Sequence, residues 1–145
     1  MMQELAGIVE SNSTNPIAII TAGGASVGKS TVIKAINPMI KGFKILNADD
    51  YVEDKNHPLH NNVLGAHAQI QKKDLPDTVD SKQNLVLDTT AGNIKTITPI
   101  IDKLKSNNYD VIMIMVYTHP IISFIRNFKR ERKVPAIGII STWFN

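Results

Sequence analysis

The chain has 145 residues, 43% hydrophobic and 20% charged, the proportions of one ordinary globular domain around a single core. It contains no cysteine, which excludes disulfides and thiolate metal sites and predicts a reducing, cytoplasmic setting. The net charge of +3 is local: residues 126–133 (RNFKRERK) carry five basic side chains and one acid, leaving 11 basic against 12 acidic elsewhere, so the chain lacks a general polyanion-seeking surface.

In chain order, the opening MMQELAGIVESN is too polar for a signal peptide, and no apolar run approaches membrane-spanning length. Residues 16–20 (PIAII) read as a parallel strand buried on both faces. The strand runs into Gly23-Gly24-Ala25-Ser26-Val27-Gly28-Lys29-Ser30-Thr31, which spells G-x-x-x-x-G-K-S, and residues 30–37 predict a short helix stopped by Asn37-Pro38. A glycine-rich loop between strand and helix turns backbone N–H groups toward an anion, and the helix N-terminus adds partial positive charge. Lys29 then reaches the outer phosphates of a nucleotide, and the Ser30 hydroxyl is placed to ligate Mg²⁺.

Residues 43–46 predict the second strand, with Asp49 and Asp50 just past its end. A carboxylate there serves either as general base for an acceptor hydroxyl or as the cap of a following helix. Residues 57–83 fit the alternation least well and read as an insertion over the site. Val63, Ala66, His67 and Ile70 share one helical face there, and a loop is expected around Pro76. Residues 84–87 predict the third strand, ending at Asp88, which either supports Mg²⁺ and its water shell or closes a turn. Thr98 caps a predicted helix with Pro99 in first position, running to Ser106.

Residues 109–117 are the fourth and most apolar strand. Thr118 or His119 then caps a helix with Pro120 in its first turn and an apolar stripe of Ile121, Phe124, Ile125 and Phe128. Arg126, Lys129, Arg130 and Lys133 fall on one helical face, either a solvated surface or a lid over a polyanion. Trp143 fits helix packing with Ile137 and Ile140. His57, His60, His67 and His119 have no cysteine or ordered acidic partner, and zinc is not expected.

These elements predict an α/β fold of the P-loop NTPase type: one domain over 1–145, with a mostly parallel sheet of about four strands and helices on both faces. Residues 119–135 form its basic helical lid. The guanine-reading N-K-x-D motif of GTPase switches is absent, and the chain is too short for a large motor ATPase. A small kinase needs an acceptor base and a cationic lid, and both have candidates.

The combination GGASVGKST, LNADDY, VLDTT and RNFKRERKVP resembles the small P-loop kinases grouped around phage 5′-polynucleotide kinase and the zeta-toxin-like phage kinases, including phage 5-hydroxymethyluracil DNA kinases. The resemblance covers residues 17–52 and 84–143 and leaves the intervening segment unmatched. It implies Lys29 and Ser30 as phosphate and metal contacts, Asp49 as general base and Asp88 as the acid on the third strand. Arg130 is implied as the lid arginine that stabilises the transferring phosphoryl group, assisted by Arg126 and Arg132. One position departs: the polynucleotide kinase has an arginine three residues after the base, where this chain has Val52. The implied cofactors are ATP or GTP with Mg²⁺. The implied acceptor is a nucleic-acid hydroxyl, either the hydroxymethyl group of a modified base or a 5′ end. The alternatives are a kinase of a small nucleotide or sugar nucleotide, and a nucleotide-binding module without transferase activity.

Overall fold

The computed structural model describes residues 3–4, 6–7 and 14–129. Arg130, Arg132, Lys133, Ile137, Ile140 and Trp143, and with them the lid beyond residue 129, lie outside the described residues. Four strands, β1 (Ile17–Ala22), β2 (Lys44–Asn47), β3 (Leu85–Asp88) and β4 (Asp110–Met115), form an all-parallel sheet in the order β2-β3-β1-β4. All six residues of β1 are buried, as its unbroken apolar run requires of a strand covered on both faces. β4 is an edge strand that exposes Met113 and Met115, so its apolar composition overstates its burial.

One face of the sheet packs on α1 (Lys29–Ile36), where Ile36 joins Ile17, Ile19, Val86 and Ile114. The other face carries α2 (Ala48–Glu53), α3 (Val63–Gln69), a π-helical turn (Ile70–Asp74), α4 (Leu75–Asp80) and α5 (Ile94–Ser106). Their Val52, Ala66, Ile70, Leu75, Val79, Ile97 and Leu104 close over Ala18, Ile20, Leu85 and Leu87.

Three local expectations are corrected. Of the face expected in residues 63–70, Ala66 and Ile70 are buried, whereas Val63 and His67 are exposed. No loop forms at Pro76; the chain stays helical through it. A proline inside a helix removes one hydrogen bond and crowds the carbonyl four residues back, and the wide π-helical turn stands immediately before it. The helix expected from Pro99 begins instead at Ile94, because the Asn93 side chain accepts the Lys95 N–H at 2.9 Å and caps it there. Pro99 sits on the exposed side, where water can satisfy the carbonyl it leaves unpaired.

The last described helix, α6 (Pro120–Phe128), is capped by His119, whose Nδ1 accepts the Ile121 N–H at 3.3 Å. Its apolar stripe faces outward: Ile121, Ile125 and Phe128 are exposed, and the buried residues are Ser123 and Asn127.

Candidate active site

The phosphate loop joins β1 to α1, and its glycines stand where side chains cannot. Gly23 has φ +148°, and a Cβ there would collide with the Val116 carbonyl oxygen of the neighbouring chain segment. Gly28, the residue before α1, is left-handed at φ 107°. A Cβ on Gly28 would meet the Arg126 guanidinium at 3.4 Å. The Gly28 carbonyl takes the Thr31 and Val32 N–H groups at 3.0 and 3.1 Å and so starts the helix. Val27 is buried, whereas Ser30 and Thr31 are exposed at the mouth.

Lys29 folds back over this loop. Its Nζ donates to the carbonyls of Gly23 at 2.8 Å and Gly24 at 2.9 Å, which places the ammonium over the nest. Arg126 reaches the same loop from α6, with Nη1 donating to the Val27 carbonyl at 3.0 Å. Of the cations predicted for the lid, Arg126 is therefore held at the phosphate loop by an observed contact.

The carboxylates come from the neighbouring strand ends. Asn47 and Thr21 both stand in register with Asp88, so β2, β3 and β1 end in one polar row. Asn47 caps α2: its Oδ1 accepts the Asp49 N–H at 3.0 Å. Neither Asp49 nor Asp50 is the cap; both lie in the first turn of α2. Asp88 likewise caps nothing, since Asn93 begins α5; its Oδ1 accepts the Thr21 hydroxyl at 2.9 Å.

Burial is the largest influence on Asp88 and raises its carboxyl above the ordinary 3.8. The negative charge of Asp49 adds to the rise, while the Thr21 hydrogen bond and the Lys29 ammonium oppose it. Asp50 is raised by burial, then by Asp49, Glu53 and Asp88. This acidic shelf thus has the Lys29 ammonium in its field.

The donor set fits Mg²⁺. That ion takes hard oxygen ligands, keeps several waters, and needs only one or two protein groups beside the phosphates. Ser30 and Asp88 supply such oxygens, and Asp88 Oδ2 makes no hydrogen bond among the described residues. A cation beside Asp88 also relieves the penalty of a buried negative charge next to Asp49. No group of three or more His, Asp or Glu side chains gathers into a metal site among the described residues.

Asp88 itself lines a small cavity of about 30 Å³, room for about one water, whose wall includes His67, Ile70, Gln71, Leu75 and Thr89. The π-helical turn supplies Ile70 and Gln71 to it. Above it, the Tyr51 hydroxyl donates to Asp74 Oδ2 at 2.7 Å, tying α2 to that turn, while Gln69 Nε2 holds Asp74 Oδ1 at 3.0 Å. Val52, at the departing position, is 1% exposed and faces the core, so no phosphate clamp arises from it.

Sequence reading missed Thr21, Asn47 as the α2 cap, and the Arg126–Val27 contact. The first two carried a signal: a lone polar residue in a buried apolar strand, and a preferred capping residue directly before the Ala-Asp-Asp that opens a helix. The third depends on where α6 lands and has none.

The sequence profile of the family described as Zeta toxin matches residues 3–138, a span that includes the segment the resemblance left unmatched. No curated protein sequence matches the chain. Among solved structures, a chain of the PezAT chromosomal toxin-antitoxin system of Streptococcus pneumoniae superposes with a TM-score of 0.67 at 17% identity, over 88% of this chain and 57% of that one. A chain of the Pnkp1/Rnl/Hen1 RNA repair complex gives a TM-score of 0.70 at 14% identity, over 93% and 47%. A gluconokinase from Sinorhizobium meliloti 1021 gives 0.59 at 15%, over 89% and 74%. The chain spans about half the length of the first two, and at these identities the likeness establishes the α/β fold alone.

Proposed function

Because the chain belongs to the Zeta toxin family, we propose that it is a phosphotransferase that moves the γ-phosphoryl group of ATP to an alcohol. The observation that carries this reading is geometric: Thr21 pairs with Asp88 and the Gly23 N–H donates to the Thr90 carbonyl at 3.1 Å, so the phosphate loop and the end of β3 lie side by side.

The residues divide the work. The loop from Gly23 to Thr31 receives the triphosphate, and Lys29 exchanges its carbonyl partners for phosphate oxygens. Arg126, docked on Val27, stands beside the same oxygens, with Arg130 as the further lid cation. Asp49 accepts the proton of the incoming hydroxyl as its oxygen bonds to phosphorus and the bond from phosphorus to the β–γ bridging oxygen breaks. Ser30 and Asp88 are the residues that would hold Mg²⁺, which when bound would neutralise charge on the phosphate oxygens.

The acceptor is a hydroxyl on nucleic acid, a reading supported by the surplus cations of residues 129–133. A small nucleotide or sugar nucleotide is the second reading, supported by the match to the Zeta toxin family. Transfer of γ-labelled phosphate to a panel of DNA 5′ ends, hydroxymethylated DNA, nucleosides and sugar nucleotides decides between them. ATP binding with no labelled product on any acceptor, unchanged by Asp49→Asn, would favour a binding module and overturn the kinase reading.

A further inference from the structure

Thr21 is the one polar residue of β1, whose other five positions are Ile, Ala, Ile, Ile and Ala. It is wholly buried, at 0% exposure. Valine has the same branched shape and would fill this space without a hydroxyl to satisfy, and burying an unpaired hydroxyl costs free energy. Packing alone therefore does not account for threonine here. The hydroxyl makes one hydrogen bond, to Asp88 Oδ1 at 2.9 Å, across the parallel pairing that sets Thr21 directly opposite Asp88.

The consequences for Asp88 are geometric. A β-branched side chain is stiff at χ1, so the donor does not swing. Oδ1 is occupied, the carboxylate plane is fixed, and Oδ2 is the oxygen left without a hydrogen bond among the described residues. A freely rotating carboxylate would offer either oxygen in many orientations, whereas a metal that needs near-octahedral geometry gains from one fixed acceptor.

We propose that Thr21 is a positioning residue, whose hydroxyl fixes the Asp88 carboxylate so that Oδ2 faces the water shell of the nucleotide-bound Mg²⁺. The inference rests on the kinase reading above but not on the identity of the acceptor. Groups that orient metal-bound carboxylates are typically worth 10- to 100-fold in metal affinity.

The test measures binding of a fluorescent ATP analogue to the full chain, with and without Mg²⁺, for wild type, Thr21→Val, Thr21→Ser, Asp88→Asn and Thr21→Val combined with Asp88→Asn. Thr21→Val is expected to leave metal-free affinity within about twofold while the Mg²⁺-dependent gain falls roughly 10-fold. Thr21→Ser should retain most of the gain, and Thr21→Val should add nothing once Asp88 is Asn. A Thr21→Val protein with the full gain, or one whose loss persists undiminished in the Asp88→Asn background, overturns the inference and leaves the kinase reading standing. Should Thr21→Val fail to fold, Thr21→Ala against Thr21→Ser gives the same comparison. Metal-independent binding by the wild type would overturn the inference, while the kinase reading stands or falls on the labelled-phosphate transfer alone.

Discussion

The phosphate loop and the acidic shelf are neighbours built on opposite principles. The loop is one contiguous stretch that works through its backbone, with Gly23 where a Cβ would collide and Lys29 supplied by the same segment. The shelf is assembled from three strand ends far apart in the chain, and it works through side chains that the sheet register brings level. A local site survives in a sequence as a string; an assembled one survives only as scattered residues whose common address is the fold. One half is cationic and the other anionic, so substitutions should separate binding of the nucleotide from transfer.

The largest separation is expected at Lys29. Lys29→Ala should reduce transfer by about 10³-fold or more and weaken ATP binding as well, because in the proposed site this cation touches phosphate in ground and transition states. Near wild-type turnover in a folded variant would remove the loop from the chemistry. Asp49→Asn should slow turnover by about 10²- to 10⁴-fold while ATP affinity stays nearly intact, read by comparing single-turnover rates with equilibrium binding. Weakened ATP binding with unchanged turnover would move Asp49 to the binding half.

Arg126→Ala should lower turnover by about 10²-fold, and Arg126→Lys should not restore it, since a lysine cannot hold the Val27 carbonyl and a phosphate oxygen with one planar fork. Asp88→Asn inverts the usual direction, giving a protein more stable yet impaired in Mg²⁺ binding. The folded-state pKa of Asp88 lies above its ordinary 3.8, so the native protein loses stability as pH rises from that value through the folded one. The variant's gain in Tm should accordingly be present near pH 7 and vanish below pH 3.8.

The smallest effect concerns the strut behind the shelf. Tyr51→Phe should cost about 1 kcal/mol of stability by deleting a hydrogen bond to a carboxylate. That bond to Asp74 is the main reason the Tyr51 phenol is pushed up to about 12 from 10.0. Its contribution should be complete below pH 10.0 and lost as pH rises toward 12, a loss that urea unfolding of the Phe variant should not show.

The sheet and the phosphate loop were legible because each is written in consecutive residues: the run into Gly23, the strand before Asp88, the apolar β4. Asp49 and Asp88 were visible as acids after strands, but that Asn47 rather than Asp49 caps the helix was not, since both residue types are favoured there. The two long amphipathic helices mark the limit of periodicity. α5 buries Ile97 and Leu104 as its pattern requires, whereas α6, with as clear a stripe, buries Ser123 and Asn127 and turns Ile121, Ile125 and Phe128 outward. A repeat of apolar residues announces that a face exists; which side lies against the protein depends on where the helix docks, here with Arg126 on the phosphate loop.

The strand order has a consequence for how the chain acquires its shape. β1, first in the chain, does not pair with β2, the strand that follows it: Ala18 must find Leu85 and Ile17 must find Asp110. Pairings this distant must first overcome loop-closure entropy, which makes such sheets slow to form. On the ribosome, the six-residue run Ile17–Ala22 emerges long before either partner, unpaired and apolar, and is the segment most exposed to wrong association while it waits.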